Sequence, residues 1–221
     1  MPATTPLFRN RADAGKILAA RVEADIGDTS ALVLGLPRGG VPVAFEVAQT
    51  LHGDLDVFTV RKLGVPTLEE MAMGAIASGG VRFLNRALIH ELGISQAEVE
   101  QVTAREWTEL QGRERLYREG RPPLEVEDRT IILVDDGLAT GASMHAAARA
   151  LRAWRPKEII IAVPVAARQT CDDLRRDVDR IICAATPEPF YAVGAWYEDF
   201  TQTTDAEVRD LLERSARERV P

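Results

Sequence analysis

The chain has 221 residues, 46% of them hydrophobic, 28% charged and only 5% aromatic. That is enough apolar material for one sizeable core in an ordinary water-soluble protein. A net charge of −7 speaks against a general nucleic-acid binder or a protein that coats anionic membranes. No apolar run approaches membrane-spanning length, and the first residues carry no apolar signal core, so a cytoplasmic location is expected.

Taken in order, Asn10 to Ala24 reads as an amphipathic helix with Ala14, Ile17, Leu18 and Val22 on one stripe. Ala31 to Leu36 is a short buried strand. Pro37-Arg38-Gly39-Gly40 closes it, before a helix from Val41 to Leu51 with Pro42 in its first turn. A cation followed by two glycines ahead of a helix can bind an anion through the side chain and free amides, although the same residues also make a plain turn. Leu55 to Arg61 reads as a second strand. From Lys62 to Leu84 the pattern loosens, with strand-like pieces around Ala75-Ile76 and Val81 to Phe83. An irregular excursion of that length inside a compact domain is usually functional.

Ser95-Gln-Ala-Glu98 is a capping box opening a highly charged helix to about Tyr117, which stops before Arg121-Pro-Pro123. Val99, Val102, Trp107 and Leu110 are its packing residues, and its charges form a solvated face. The chain then enters its most informative stretch, Thr130 to Ser143. Ile131 to Val134 is a β-branched, apolar run typical of a buried parallel strand. Asp135 and Asp136 follow at once, then the small, hydroxylated Gly137-Leu-Ala-Thr-Gly141, then a helix from Ala142 to Trp154. Loop amides and the helix N-terminus can hold a phosphate. Thr140 and Ser143 add hydroxyls, and Gly141 lets the backbone approach the anion. The two acids suit sugar hydroxyls or a divalent cation. A phosphorylated sugar with Mg²⁺ nearby is the ligand these residues describe. The strand Glu158 to Val163, a helix from about Arg168 to Arg176 and the strand Val178 to Ala184 complete an alternation that predicts an α/β, Rossmann-like, mainly parallel sheet flanked by helices. Ligands in such sheets sit beyond the carboxyl ends of the strands, so the turns after Leu36 and Val134 should share one edge. Cys171 and Cys183 match neither a zinc site nor a disulfide framework and read as two buried thiols in a reducing compartment. Gly141-Ala-Ser-Met-His145 approximates a nucleophile elbow, but His145 stands where the sharp turn needs a second glycine.

Val134-Asp-Asp-Gly-Leu-Ala-Thr-Gly-Ala-Ser143 resembles the phosphoribosyl-pyrophosphate (PRPP) signature of the type I phosphoribosyltransferases. The resemblance extends from about Ala31 to Phe200 but is specific only at this motif. It implies one domain over residues 1–221, with a core at about 31–185, a flexible loop at about 62–84, a charged helical insertion at about 95–120 and a hood from the N- and C-terminal segments. It implies transfer of the 5-phosphoribosyl group from PRPP to a nitrogenous base or related nucleophile, releasing pyrophosphate, with Mg²⁺ as cofactor. On that reading Asp135 and Asp136 hold the ribose, residues Gly137, Ala139, Thr140, Gly141, Ala142 and Ser143 hold the 5′-phosphate, and Pro37, Arg38, Gly39 and Gly40 grip the pyrophosphate. Arg61 and Lys62, with Glu69 or Glu70 alongside, open the mobile loop over the reacting centre, and Lys62, Arg61 and Asp136 are the catalytic candidates. Tyr191, in an aromatic segment ahead of Val193-Gly194, is the base-stacking candidate; Glu198 (or Asp199) joins Asp135 and Asp136 as a metal acid. Packing of this segment on the core is an equal reading for Phe190, Trp196 and Phe200. Ala139 stands where the 6-oxopurine enzymes carry a carboxylate, and Ala162-Val-Pro-Val-Ala166 lacks their lysine. Hypoxanthine and guanine are therefore not assigned. The implied partners are PRPP and a small acceptor, with no nucleic acid or membrane and with room for a homodimer. The competing class is a non-catalytic regulatory protein that binds PRPP or a nucleotide in the same pocket; hydrolysis or phosphorolysis of a nucleotide there is a third.

Overall fold

The computed structural model describes residues 5–27, 29–66 and 68–218, without the side chains of residues 69 and 70. Helix α1 (Arg11–Ile26) begins at Asn10, whose side chain accepts from the Asp13 amide and so satisfies one of the helix's orphan donors. Strand β1 (Ala31–Gly35), helix α2 (Gly40–Thr50) and strand β2 (Asp54–Val57) form the first parallel unit. The chain then leaves this layer. Strands β3 (Val60–Val65), β4 (Leu68–Ala77) and β5 (Val81–Leu84) make a separate antiparallel sheet in the order β3-β4-β5. Helices α3 (Arg86–Glu91) and α4 (Gln96–Arg118) follow. Strand β6 (Thr130–Val134), helix α5 (Ala142–Arg152), strand β7 (Glu158–Val165), helix α6 (Arg168–Leu174) and strand β8 (Arg180–Ala185) then return to the main sheet. Helix α7 (Asp205–Arg217) ends the described residues' secondary structure.

The main sheet is wholly parallel, in the order β2-β1-β6-β7-β8. From β1 the chain winds outward to β2, and from β6 it winds the other way, so the order reverses between these two adjacent strands. That is the switch point at which such sheets bind ligands. Gly35 is paired with Val134, which sets the turns after β1 and β6 side by side as expected. Alternate residues feed two cores. Val33, Ile132 and Ile160 pack under α1, α2 and α7, against Leu18, Val43 and Val208. Leu34, Leu133 and Ile161 pack under α5 and α6, against Met144, Leu151 and Leu174.

Two expectations need correction. Leu55 to Arg61 is not one strand. Phe58 still bonds Gly35 of the main sheet (3.1 Å), but Thr59 turns to Ser78, whose amide donates to its carbonyl (2.9 Å), and β3 starts a new layer. The stretch from Lys62 to Leu84 is not irregular either. Its alternation is broken by register shifts at Leu63/Gly64 and Gly64/Val65, and a bulge erases the period of two on which strand reading depends. This sheet packs Leu63, Met73 and Ile76 against Val99, Val102 and Leu110 of α4, with Trp107 beside them. The α4 packing residues and its Ser95–Glu98 capping box are as expected. Helices α3 and α7 were not anticipated. The terminal segments meet where Phe8 bridges Tyr197 and packs with Trp196 on Val165 at the end of β7. Among the described residues no helix is long and apolar enough to cross a membrane.

Candidate functional site

The acidic turn lies at the carboxyl edge of β6, pressed against the turn after β1. A Cβ at Gly39 would fall 2.0 Å from Asp136 Oδ2, and one at Gly40 would fall 2.6 Å from the Val134 carbonyl. Only glycine allows this approach. Asp135 Oδ1 accepts from the Asp136 amide (2.9 Å). Asp136 Oδ2 receives Arg11 Nε at 2.8 Å. Arg11 is fixed at two further points: Nη1 donates to the Thr201 carbonyl (2.7 Å), and its guanidinium lies 4.0 Å from the centre of the Phe200 ring. Tyr197 Oη donates to the Asp136 carbonyl (2.6 Å). The start of α1 and the segment from Tyr197 to Thr201 therefore converge on the acid pair.

Burial holds both carboxyls above their ordinary range. For Asp135, the neighbouring Asp136 charge adds to burial. For Asp136, the Arg11 guanidinium works against it and favours the charged form.

The loop between the acids and α5 is anchored from below. The Leu138 amide donates to the Val165 carbonyl (2.9 Å), and the Ala167 amide donates to the Leu138 carbonyl (3.0 Å). Thr170 Oγ1 donates to the Ala139 carbonyl (2.5 Å). Above these anchors Ala139, Thr140, Ala142 and Ser143 are exposed. Gly141 takes a left-handed conformation (φ 68°), and no side chain caps α5. First-turn amides without an intrahelical acceptor, beside two hydroxyls, are the elements of an anion cradle.

A cleft of about 430 Å³ opens between the two sheets, lined by Leu36, Pro37, Asp135 and Ser143 on one side and by Phe58 to Lys62 on the other. Helix α4 closes it with Arg105, Glu106 and Arg113. Four cations, Arg61, Lys62, Arg105 and Arg113, thus face two acids, Glu106 and Asp135. Arg61 is clasped by Glu106, with Nε and Nη2 at 2.8 and 2.5 Å from Oε2. Arg105 Nε holds the other carboxylate oxygen at 3.1 Å.

The structure distributes the remaining candidates unevenly. The Pro37–Arg38 peptide is cis, and the Arg38 side chain turns toward α7, 3.9 Å from Asp205 Oδ1. Tyr117 Oη donates to the same oxygen (2.5 Å), and burial followed by that hydrogen bond pushes the Tyr117 hydroxyl up to about 12. Tyr191 is 64% exposed and does not line the cleft. Glu198 is exposed, and its amide bonds the Phe8 carbonyl (2.9 Å). Among the described residues no three His, Cys, Asp or Glu side chains gather to hold a metal. Both oxygens of Glu106 in the same cleft are already held by Arg61 and Arg105, whereas the acid pair offers hard oxygen donors. That suits an Mg²⁺ ion arriving on substrate phosphates, since Mg²⁺ is usually held by one or two carboxylates plus phosphate and water. The side chains of Glu69 and Glu70 lie outside the described residues.

Sequence reading missed Arg11, Arg105, Glu106, Arg113 and Asp205. Arg11 left one signal: a cation at the positive end of a helix runs against the macrodipole, and Asp136 explains it.

A family model described as the phosphoribosyl transferase domain matches residues 69–194. In Mycobacterium tuberculosis, strains CDC 1551 / Oshkosh and ATCC 25618 / H37Rv, a protein provisionally named a phosphoribosyl transferase is 43% identical over 212 residues, covering 96% of this chain. The chain spans about half the length of these curated relatives, 48%. The crystal structure of TT1426 from Thermus thermophilus superposes with a TM-score of 0.87 at 40% identity, covering 94% of this chain and 98% of the other. The AQ2163 protein from Aquifex aeolicus shares the fold at a TM-score of 0.50 and 12% identity, covering 91% and 84% of the two chains.

Proposed function

This chain belongs to the phosphoribosyl transferase domain family, and from that premise we propose that it moves the 5-phosphoribosyl group of PRPP to a nitrogen nucleophile, releasing pyrophosphate, with Mg²⁺ carried on the substrate. The observation that supports this most is one of placement. The acid pair, the 139–143 cradle and a cation-rich cleft stand together at the switch edge of the parallel sheet.

In this reading Asp135 and Asp136 accept hydrogen bonds from the ribose hydroxyls, and Arg11 favours the charged form of Asp136 against burial and aims it. Amides of residues 139–143 with the Thr140 and Ser143 hydroxyls hold the 5′-phosphate. The backbone of Pro37 to Gly40 and the cations Lys62, Arg61, Arg105 and Arg113 stabilise negative charge as it gathers on the departing pyrophosphate. Mg²⁺ neutralises part of the same charge when bound. The wall of β3 and α4 keeps water from the ribosyl carbon as it becomes cationic. Tyr191 would stack on an acceptor base only after the segment around it moves inward.

The test is calorimetric titration of the protein with PRPP, with and without Mg²⁺, beside the Asp135→Asn/Asp136→Asn variant. Mg²⁺-dependent binding that the variant loses supports the assignment, and a pyrophosphate-release screen over purines, pyrimidines and small amines then seeks the acceptor. Equal affinity in the variant refutes it. Two observations favour the regulatory reading: Asp136 is already engaged by Arg11, and the stacking candidate stands away from the cleft. PRPP that binds but is never consumed, whatever acceptor is added, would select that reading.

A further inference from the structure

Cys171 of α6 and Cys183 of β8 are both free thiols, and neither has a part in the proposed chemistry. Twelve positions apart in sequence, their Sγ atoms lie 2.8 Å from each other. To bond they need close by only about 0.75 Å, to the ~2.05 Å of a disulfide. Cys183 is half-buried and gives the pair its opening to solvent, whereas Cys171 is buried. Their surroundings tie them to the phosphate loop. The residue before Cys171, Thr170, donates to the Ala139 carbonyl, and its methyl carbon would meet a Cβ at Gly141 at 2.7 Å. At the other end of the segment, the Ala166 amide donates to the Ala185 carbonyl (3.1 Å).

We propose that Cys171 and Cys183 are an oxidative cross-linking site, converted by a peroxide-class oxidant to one intramolecular disulfide that fastens α6 to β8 beneath the phosphate loop. Cys171 is the nucleophile: either sulfur can donate in this contact, and the hydrogen bond with Cys183 holds the Cys171 pKa below the usual thiol range against the opposing effect of burial. Its thiolate attacks one peroxide oxygen, the O–O bond breaks, and one water leaves after protonation, giving a sulfenic acid. The Cys183 sulfur then attacks that sulfur, the S–O bond breaks, and a second water leaves. Two thiols are oxidised to one disulfide while one peroxide is reduced to two waters.

The test is to expose the reduced 221-residue chain to stoichiometric hydrogen peroxide and read intact mass, thiol titre and melting temperature. The expected result is loss of two hydrogens and of both thiols in a chain that stays monomeric on a non-reducing gel, with peptides containing residues 171 and 183 joined. Constraining the unfolded chain should raise the melting temperature by roughly 5–10 °C, reversibly with dithiothreitol. Cys171→Ser and Cys183→Ser should each abolish both the mass change and the rise. Two titratable thiols after peroxide, sulfinic acid as the end product, cross-links between chains, or a melting temperature that does not rise would each overturn the proposal. Because all of these are read on the native protein, they decide it even if a serine variant fails to fold.

Discussion

The acid pair is the point where single atoms decide most. Asp136 sits in a slot whose walls are the Gly39 backbone and the Arg11 guanidinium. Gly39→Ala would place a methyl group where the carboxylate oxygen now lies, and the flexible side chain would be driven off Arg11. We expect a folded variant whose PRPP affinity falls about tenfold or more, about 1.4 kcal/mol of binding energy, as measured by titration calorimetry. Unchanged affinity would mean that Asp136 does not touch the ribose. Removing the cation acts on the fold as well. The Arg11 and Asp136 side chains are 11% and 15% exposed, so Arg11→Met leaves a partly buried acid without its partner. A loss of roughly 1–3 kcal/mol in unfolding free energy is expected, measurable by urea titration. Residues 134–143 could be read from sequence because strand, acids, glycine and helix start are adjacent in the chain and their chemistry is local. Arg11 reaches Asp136 across 125 residues, and no local pattern announces such a partner beyond its misfit with the helix dipole.

Elements were legible to the degree that their periodicity was clean. The parallel strands β1, β6 and β7 are continuous apolar runs buried on both faces, and each announces itself. The second sheet was hidden by its bulges, and β2 merged with β3 because no glycine or proline marks the turn at Phe58-Thr59. Helix α7 carries a sequence signal of the same kind as α4: Thr204 and Glu207 form a capping box like that of Ser95 and Glu98. Val60, Ala77 and Val81 of the second sheet reach the core under α5, so its separability from the parallel sheet turns on its other contact, the one between β3–β4 and α4. Leu110 is fully buried between them. Leu110→Ala should cost about 2–5 kcal/mol locally, and hydrogen exchange should show β3 to β5 losing protection while β6 and β7 keep theirs. Uniform loss of protection would instead make both sheets one cooperative body. Ser95→Ala, which removes the cap alone, should cost about 1 kcal/mol and fray only the first turn of α4.

At the scale of the whole molecule, the acid pair sets function against stability. In a chain of net charge −7, two adjacent carboxylates are held at a packed edge where burial raises the pKa of both. The sign follows from linkage. An acid whose folded pKa lies above its unfolded value of about 3.9 favours folding most in its protonated form. Its charged form therefore subtracts stability at neutral pH, and the deficit disappears as pH falls through the folded pKa toward the unfolded one. Asp135→Asn removes the charge but keeps an oxygen to accept the Asp136 amide, a bond of 2.9 Å in the native chain. The variant should melt above the native protein at pH 8, and the two curves should converge as the medium is acidified through the raised pKa. Its PRPP binding should be lost at every pH. A melting difference that is constant with pH would show that the Asp135 charge is not strained by its burial, and a variant less stable at pH 8 would show that the carboxylate supports the fold. The predicted pattern, a gain in stability with a loss of binding, is what a site retained for its ligand should display.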